Sequence, residues 1–339
     1  MPTYESTFAH LSQPSYKGGM ESYYDFLRLF TALLRNEEGI PGDARLAELA
    51  YHLSDEQRVA LQRLAVAADR LDDAAIVAEI GEEQFRAQRD RRFGARNPEP
   101  MDVPFWRFMV QRGWIAYQAR MQFDLTYRAY MNDYRTQIAR EEAGEVVSEE
   151  LEPPHPGYGP PIWCFSRFGM ALVRLSDGRT LFIGGEHEDF YDPDFCIYND
   201  VIAIDPELRV TIYGYPAEVF PPTDFHTATL VGEADVYLIG SLGYPEERRP
   251  GETPVYRLDT ATMQISPVAT TGTGPGWISR HSAAYDLARN AITLAGGQII
   301  NAKGDLRDNR GRFWLNLTTM VWSRGQPSTT KGYGRQEIA

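Results

Sequence analysis

The chain has 339 residues, of which 43% are hydrophobic and 24% charged, with a net charge of −13 at neutral pH. That balance is a globular protein's and excludes a disordered or fibrous chain. The acidity is shared, with 18 basic against 25 acidic residues over 1–150 and 16 against 22 over 151–339, so the surface repels phosphate backbones, excludes nucleic acid as a partner, and steers basic proteins towards it.

Residues 1–20 show no period and read as an extended arm, without the basic start and apolar run of a secretory leader. No stretch reaches the roughly 18 apolar residues of a membrane span, so no membrane association and a cytoplasmic location are expected. A helical domain is expected over 21–140. Tyr23, Leu27, Phe30 and Leu34 make one apolar stripe. Ser54 and Gln57 have the spacing of a capping box that opens a second helix, and 72–92 reads as a third. From Pro104, a good first helical residue, one long helix is expected to about Arg140, interrupted only by Gly113. It is dense in aromatics (Phe105, Trp106, Phe108, Trp114, Tyr117, Phe123, Tyr127, Tyr130, Tyr134) and reads as core or as a docking face. Residues 141–152 then carry six glutamates and run into PPHPGYGPP, so 141–160 reads as a linker held open by charge repulsion and proline stiffness.

From 161 to 325 the texture changes to short alternating strands and turns, in three segments near 163–216, 222–270 and 277–325, before a tail over 326–339. Gly184, Gly240 and Gly296 each close the second strand of a segment, at a pitch of 56 residues. Met170, His226 and His281 align before the first strand. Asp205, Asp259 and Asn316 align at the turn after the third, and Tyr213, Ile265 and Trp322 near the fourth. A period near 50 residues with four strands per unit signifies a propeller blade. The central strand is apolar throughout because it is covered on both faces. Cys164 and Cys196, the only cysteines, fall in or beside strands and read as two buried thiols.

These segments resemble kelch repeats, on the doubled glycines Gly184-Gly185 and Gly296-Gly297, the Leu258-Asp259 turn and the late Trp322. The second segment departs from that pattern with Ser241 for the second glycine, the third with Asn316 for the turn aspartate. The resemblance implies an α+β multidomain protein: an N-terminal all-α domain, then an all-β partial propeller of three blades. Closed kelch propellers have more blades than three. The arc therefore leaves two open faces, to be covered by the N-terminal helices or by a second copy, and a homodimer is the favoured expectation.

The long connections after the second strands, 186–198, 242–253 and 298–311, emerge on one side and run from acidic to basic. Loops of that length are more often functional than idle. His187, Asp189, Tyr191, Asp192, Tyr244, Arg248, Arg307 and Arg310 are the expected partner contacts. Glu186, His187, Asp189, Asp192 and Asp194 offer the carboxylate and imidazole ligands of a divalent metal, though their spacing matches no metal motif and a solvated acidic loop is the plainer reading. No cofactor fingerprint occurs and none is expected. The favoured function is a non-enzymatic protein-interaction module, for instance an immunity-type inhibitor or adaptor. The alternatives are a kelch-type enzyme or metal-binding protein with its site in the 186–194 loop, and an effector or toxin with the blades as targeting module.

Overall fold

The computed structural model describes residues 80–112, 116–145, 161–165, 167–187, 195–207 and 209–325. The expected arm, the 23–34 stripe, the Ser54 capping box, the acidic linker beyond 145 and the tail lie outside them. Among the described residues the protein is α+β: four helices in the N-terminal part and mainly antiparallel sheets after them. No helix among the described residues is long and apolar enough to cross a membrane.

The helices are shorter than the sequence pattern suggests. Helix α1 (Glu82–Gln88) starts only after Ile80 and Gly81, with Glu82 and Glu83 in its first turn, where a helix favours negative charge. The expected long helix is three: α2 (Pro104–Arg112), α3 (Ala116–Phe123) and α4 (Leu125–Glu142). Asp124 makes the second break. Its carboxylate accepts the Tyr127 N–H at 3.1 Å and so caps a new helix instead of continuing the old one. The aromatics divide accordingly. Phe105, Trp106, Phe108 and Phe123 are buried, whereas α4 buries no residue and leaves Tyr134 41% exposed.

Three sheets follow. Strands β2 (Ala171–Arg174), β3 (Thr180–Ile183), β4 (Val201–Ile204) and β5 (Val210–Gly214) pair antiparallel in sequence order, and β1 (Glu99–Pro100) adds itself outside β5. Strands β6 (Thr227–Val231), β7 (Asp235–Ile239), β8 (Val255–Asp259) and β9 (Ile265–Pro267) repeat the order. The third sheet joins β12 (Ser282–Asp286), β13 (Ala291–Ala295), β16 (Arg312–Asn316) and β17 (Val321–Arg324), with β10 (Thr271–Gly272) parallel to β17 on the outside. Within that repeat β11 (Ile278–Ser279), β14 (Gln298–Ile300) and β15 (Leu306–Asp308) form a small sheet of their own. The first strands β2, β6 and β12 stand side by side in that order.

The turns after the third strands share one device. Asp259 Oδ1 accepts the Ala261 and Thr262 N–H groups at 3.1 and 2.8 Å. Asn316 Oδ1 accepts those of Thr318 and Thr319, both at 2.9 Å. The turn needs an oxygen acceptor, not a charge, so asparagine serves where the repeat pattern has aspartate.

Cores form between layers. Leu181, Ile183 and Val201 of the first sheet meet Val236, Leu238, Leu258 and Ile265 of the second. Tyr237, Ile239 and Val255 on the second sheet's other face meet Ile292, Leu294, Phe313, Leu315 and Trp322 of the third. The outward face of the first sheet lies under the helices, with Phe182, Ile202 and Ile212 packed with Phe105, Trp106, Met109 and Trp163. Trp106 and Trp163 stack there at 5.1 Å with 6° between planes. The helices thus cover one of the two faces that the sequence leaves open.

Beneath them lies a buried ion pair. Arg167 is ion-paired with Asp200, its Nη2 donating at 3.1 Å, and Trp163 Nε1 donates to the same carboxylate at 2.7 Å. Tyr198 and Trp163 flank the guanidinium, which also donates to the carbonyls of Cys164 and Gly184. Burial opposes the arginine's charge, but Asp200 outweighs it and holds the group above its ordinary pKa. Cys164 and Cys196 are buried.

The outer edge of each of the three larger sheets carries an added partner. The first sheet has β1, and the third has β10. On the second, the Asn97 side chain imitates a strand: Nδ2 donates to Ile265 O at 2.7 Å and Oδ1 accepts Ile265 N–H at 2.9 Å. The segment carrying Asn97 runs close enough to β5 that a Cβ on Gly94 would collide with the Gly214 carbonyl, which explains the glycine at 94.

Candidate functional site

The site grows from the joins between repeats. Gly169, Phe225 and Arg280 precede the three first strands, and all have positive φ, at 61°, 48° and 56°. The Phe225 N–H donates to Gly169 O at 2.7 Å, and the Arg280 N–H to Phe225 O at 2.8 Å. Only glycine adopts this conformation at little cost; phenylalanine and arginine each pay on the order of 1–2 kcal/mol. Strain of this kind is retained where the surroundings over-determine it, commonly at functional positions.

Four charged groups gather beside this ladder. Glu186, two residues after Gly184, is bonded through its backbone to Phe168 at 2.8 and 3.0 Å. Asp224 is fully buried. Its Oδ1 accepts Gly243 N–H at 2.7 Å and the Ser241 hydroxyl at 3.2 Å, while Oδ2 has no hydrogen bond of good geometry. The Glu186 carboxyl lies within interacting reach of the Asp224 carboxyl. Burial first, then the Asp224 charge, push Glu186 up to about 8, so near neutrality the two carboxyls hold one proton between them. Burial raises Asp224 as well.

Arg280 faces the pair without ion-pairing to it. Its guanidinium lies 4.0 Å from the Phe225 ring centre, and Nη1 donates to Gln298 Oε1 at 3.2 Å. Arg248 is spent on its own loop, donating to Leu242 O at 3.0 Å and to Gly243 O at 2.9 and 3.1 Å. The arrangement is a half-buried pair of neighbouring carboxyls with a nearby guanidinium: it can exchange a proton or accept a cation.

The expected site residues scatter. Glu186 enters this cluster. His187 is fully buried, its backbone N–H donating to Cys196 O at 2.7 Å. Tyr244 is half-buried, its hydroxyl oxygen accepting the Ile197 N–H at 2.8 Å, which ties the second loop to the first. Arg307 and Arg310 are exposed at β15, Arg307 paired with Asp305 at 3.2 Å. Asp189, Tyr191, Asp192 and Asp194 lie outside the described residues. Among the described residues, no group of three or more His, Cys, Asp or Glu is placed to hold a metal ion.

Asp224 and Arg280 were absent from the expected site. The available signal was positional: Phe168, Asp224 and Ser279 are equivalent, as are Gly169, Phe225 and Arg280, and charge at such a position in single repeats sets it apart. The histidines that follow serve packing. Burial holds both at about 3, His226 further lowered by His281, and His281 Nε2 shares a 3.1 Å hydrogen bond with the Thr227 hydroxyl. Compared with known proteins, the chain matches no family model and no curated protein.

Proposed function

We propose that the three sheets are kelch-type blades and that the chain is a non-enzymatic interaction protein, an inhibitor or adaptor that grips another protein with its loop end. The observation that carries this reading is β15. All three of its residues are exposed, Leu306 at 40%, and it is the edge strand of its small sheet among the described residues. An ordered edge with open backbone groups, one apolar side chain and flanking guanidinium groups is suited to an extended segment of a partner. Glu186, exposed Glu246 and exposed Glu247 give the same end an acidic side, so a partner carrying both charges is favoured.

The partner is another protein rather than a second copy. The helices occupy one face of the sheet stack, and on the outer face of the third sheet Thr293, Ala295 and Arg312, beside a half-buried Trp314, stand where the second sheet has Tyr237, Ile239 and Val255. A monomer is the expected light-scattering mass. The test is capture with the tagged full chain at physiological salt. A stoichiometric protein retained by the wild type and released by Arg307→Glu/Arg310→Glu supports the reading. Recovery of nothing stoichiometric, or equal retention by the double variant, overturns it.

A further inference from the structure

The protein contains two buried aspartates at equivalent depth with opposite fates. Asp200 has both oxygens taken, by Arg167 and Trp163, with Tyr198 against the guanidinium. Asp224 is equally enclosed, yet among the described residues its Oδ2 has no hydrogen-bond partner and its carboxyl no arginine ion pair, while the Glu186 carboxyl lies within interacting reach. Its nearest guanidinium, Arg280, is diverted to Gln298 and Phe225, and Arg248 to backbone carbonyls. A buried carboxylate oxygen left without a donor is costly. Here it is relieved only by a proton shared with Glu186.

We propose that the Glu186–Asp224 pair is a binding site for an organic cation, a guanidinium or ammonium group presented by a basic segment of the protein partner. This rests on the interaction reading above and supplies its acidic contact. A guanidinium meets two carboxylates through a planar fork and is weakly hydrated, so it enters a half-buried acid site at modest desolvation cost. A divalent metal fits less well. It wants about six oxygen ligands, whereas the two carboxyls here have only the Ser241 hydroxyl close by, already donated to Asp224. On binding, the shared proton leaves Glu186 for solvent and the cation takes its place, so charge balances. The charged groups facing the pair are Arg280 and, behind Asp224, Arg248.

The test is calorimetric titration of the full chain at pH 7 with two probes, L-arginine amide and an end-blocked heptapeptide rich in lysine and arginine, in two buffers of different ionisation heat. Saturable binding with release of about one proton is expected, weakened roughly tenfold or more by Glu186→Gln, with the proton release lost. Tighter binding of the peptide identifies a protein-borne cation, and equal binding a free one; either supports the site. No saturation of either probe by about 20 mM, or affinity and proton release unchanged in Glu186→Gln, overturns it. Asp224→Asn is a second variant, and Glu186→Gln carries the test alone if that one does not fold. Should Arg307→Glu/Arg310→Glu release the captured partner while Glu186→Gln does not, the interaction reading stands and this site falls.

Discussion

The two ends of the sheet stack solve the same problem in opposite ways. At the first sheet the outward face is apolar and lies under helices, with the Trp106–Trp163 stack and the Arg167–Asp200 pair between. At the third, the outward positions have changed character. Leu181, Ile183 and Val201 in the first repeat correspond to Tyr237, Ile239 and Val255 in the second, and to Thr293, Ala295 and Arg312 in the third. The glycines tell the same story. A Cβ on Gly184 or Gly240 would strike a carbonyl of the following repeat, whereas Gly296 has nothing within 4 Å. A repeat array can therefore end by being covered or by reducing its apolar surface, and among the described residues this chain does one at each end.

The comparison breaks first at the covered end. Trp163→Ala removes half of a fully buried stack and a donor to Asp200, and is expected to cost about 3–5 kcal/mol in denaturant unfolding. Asp200→Asn leaves Arg167 buried and under-paired and falls in the same range, about 3 kcal/mol or more. A loss under 1 kcal/mol for both would show that the helices merely rest on the sheet.

Acid acts instead on the joins between sheets, where His226 and His281 sit. Because burial holds both at about 3, the stability each confers is fully present above its unfolded value near 6.5. It is lost as pH falls below that, by up to about 1.4 kcal/mol per pH unit for each histidine. Glu186 runs the other way. Raised to about 8, it costs stability that grows as pH climbs from its unfolded value of 4.5 towards 8, an effect muted by its contact with solvent. A stability maximum near pH 6.5 is expected in unfolding curves measured from pH 4.5 to 8.5. A flat profile from pH 7 down to 4.5 would mean the histidines are not held neutral.

At the bare end, restoring the pattern with Thr293→Tyr/Ala295→Ile/Arg312→Val should create a sticky face. Self-association by light scattering is expected at concentrations where the wild type stays monomeric. The smallest effect belongs to the turns. Asp259→Asn should change stability by less than about 0.5 kcal/mol, since Asn316 performs the same task, whereas Asp259→Ala should cost about 1 kcal/mol.

Much of the sheet region is legible in sequence because its signals are local. The glycine pitch, the apolar second strands and the Asx turns at Asp259 and Asn316 each act within a few residues. The break at Asp124 was legible too, but an aspartate inside a strong aromatic pattern is easily outvoted. What sequence hides is long-range. Nothing near Asn97 announces that its amide will pair with Ile265, 168 positions away. Asp224 looks like an ordinary loop acid until its equivalents Phe168 and Ser279 are set beside it. The acidic loop drew notice by charge density, yet of its acids only Glu186 is among the described residues.

The short stretch from Gly94 to Met101 has a consequence for how the protein is handled. It lends a strand to one sheet and a false strand to the next, while its neighbours hydrogen-bond to residues 161–163. Residues before 146 are thus tied to sheets built from residues beyond 160. Cutting at residue 150 to obtain a helical piece and a sheet piece should yield two fragments that must find each other again before either one folds.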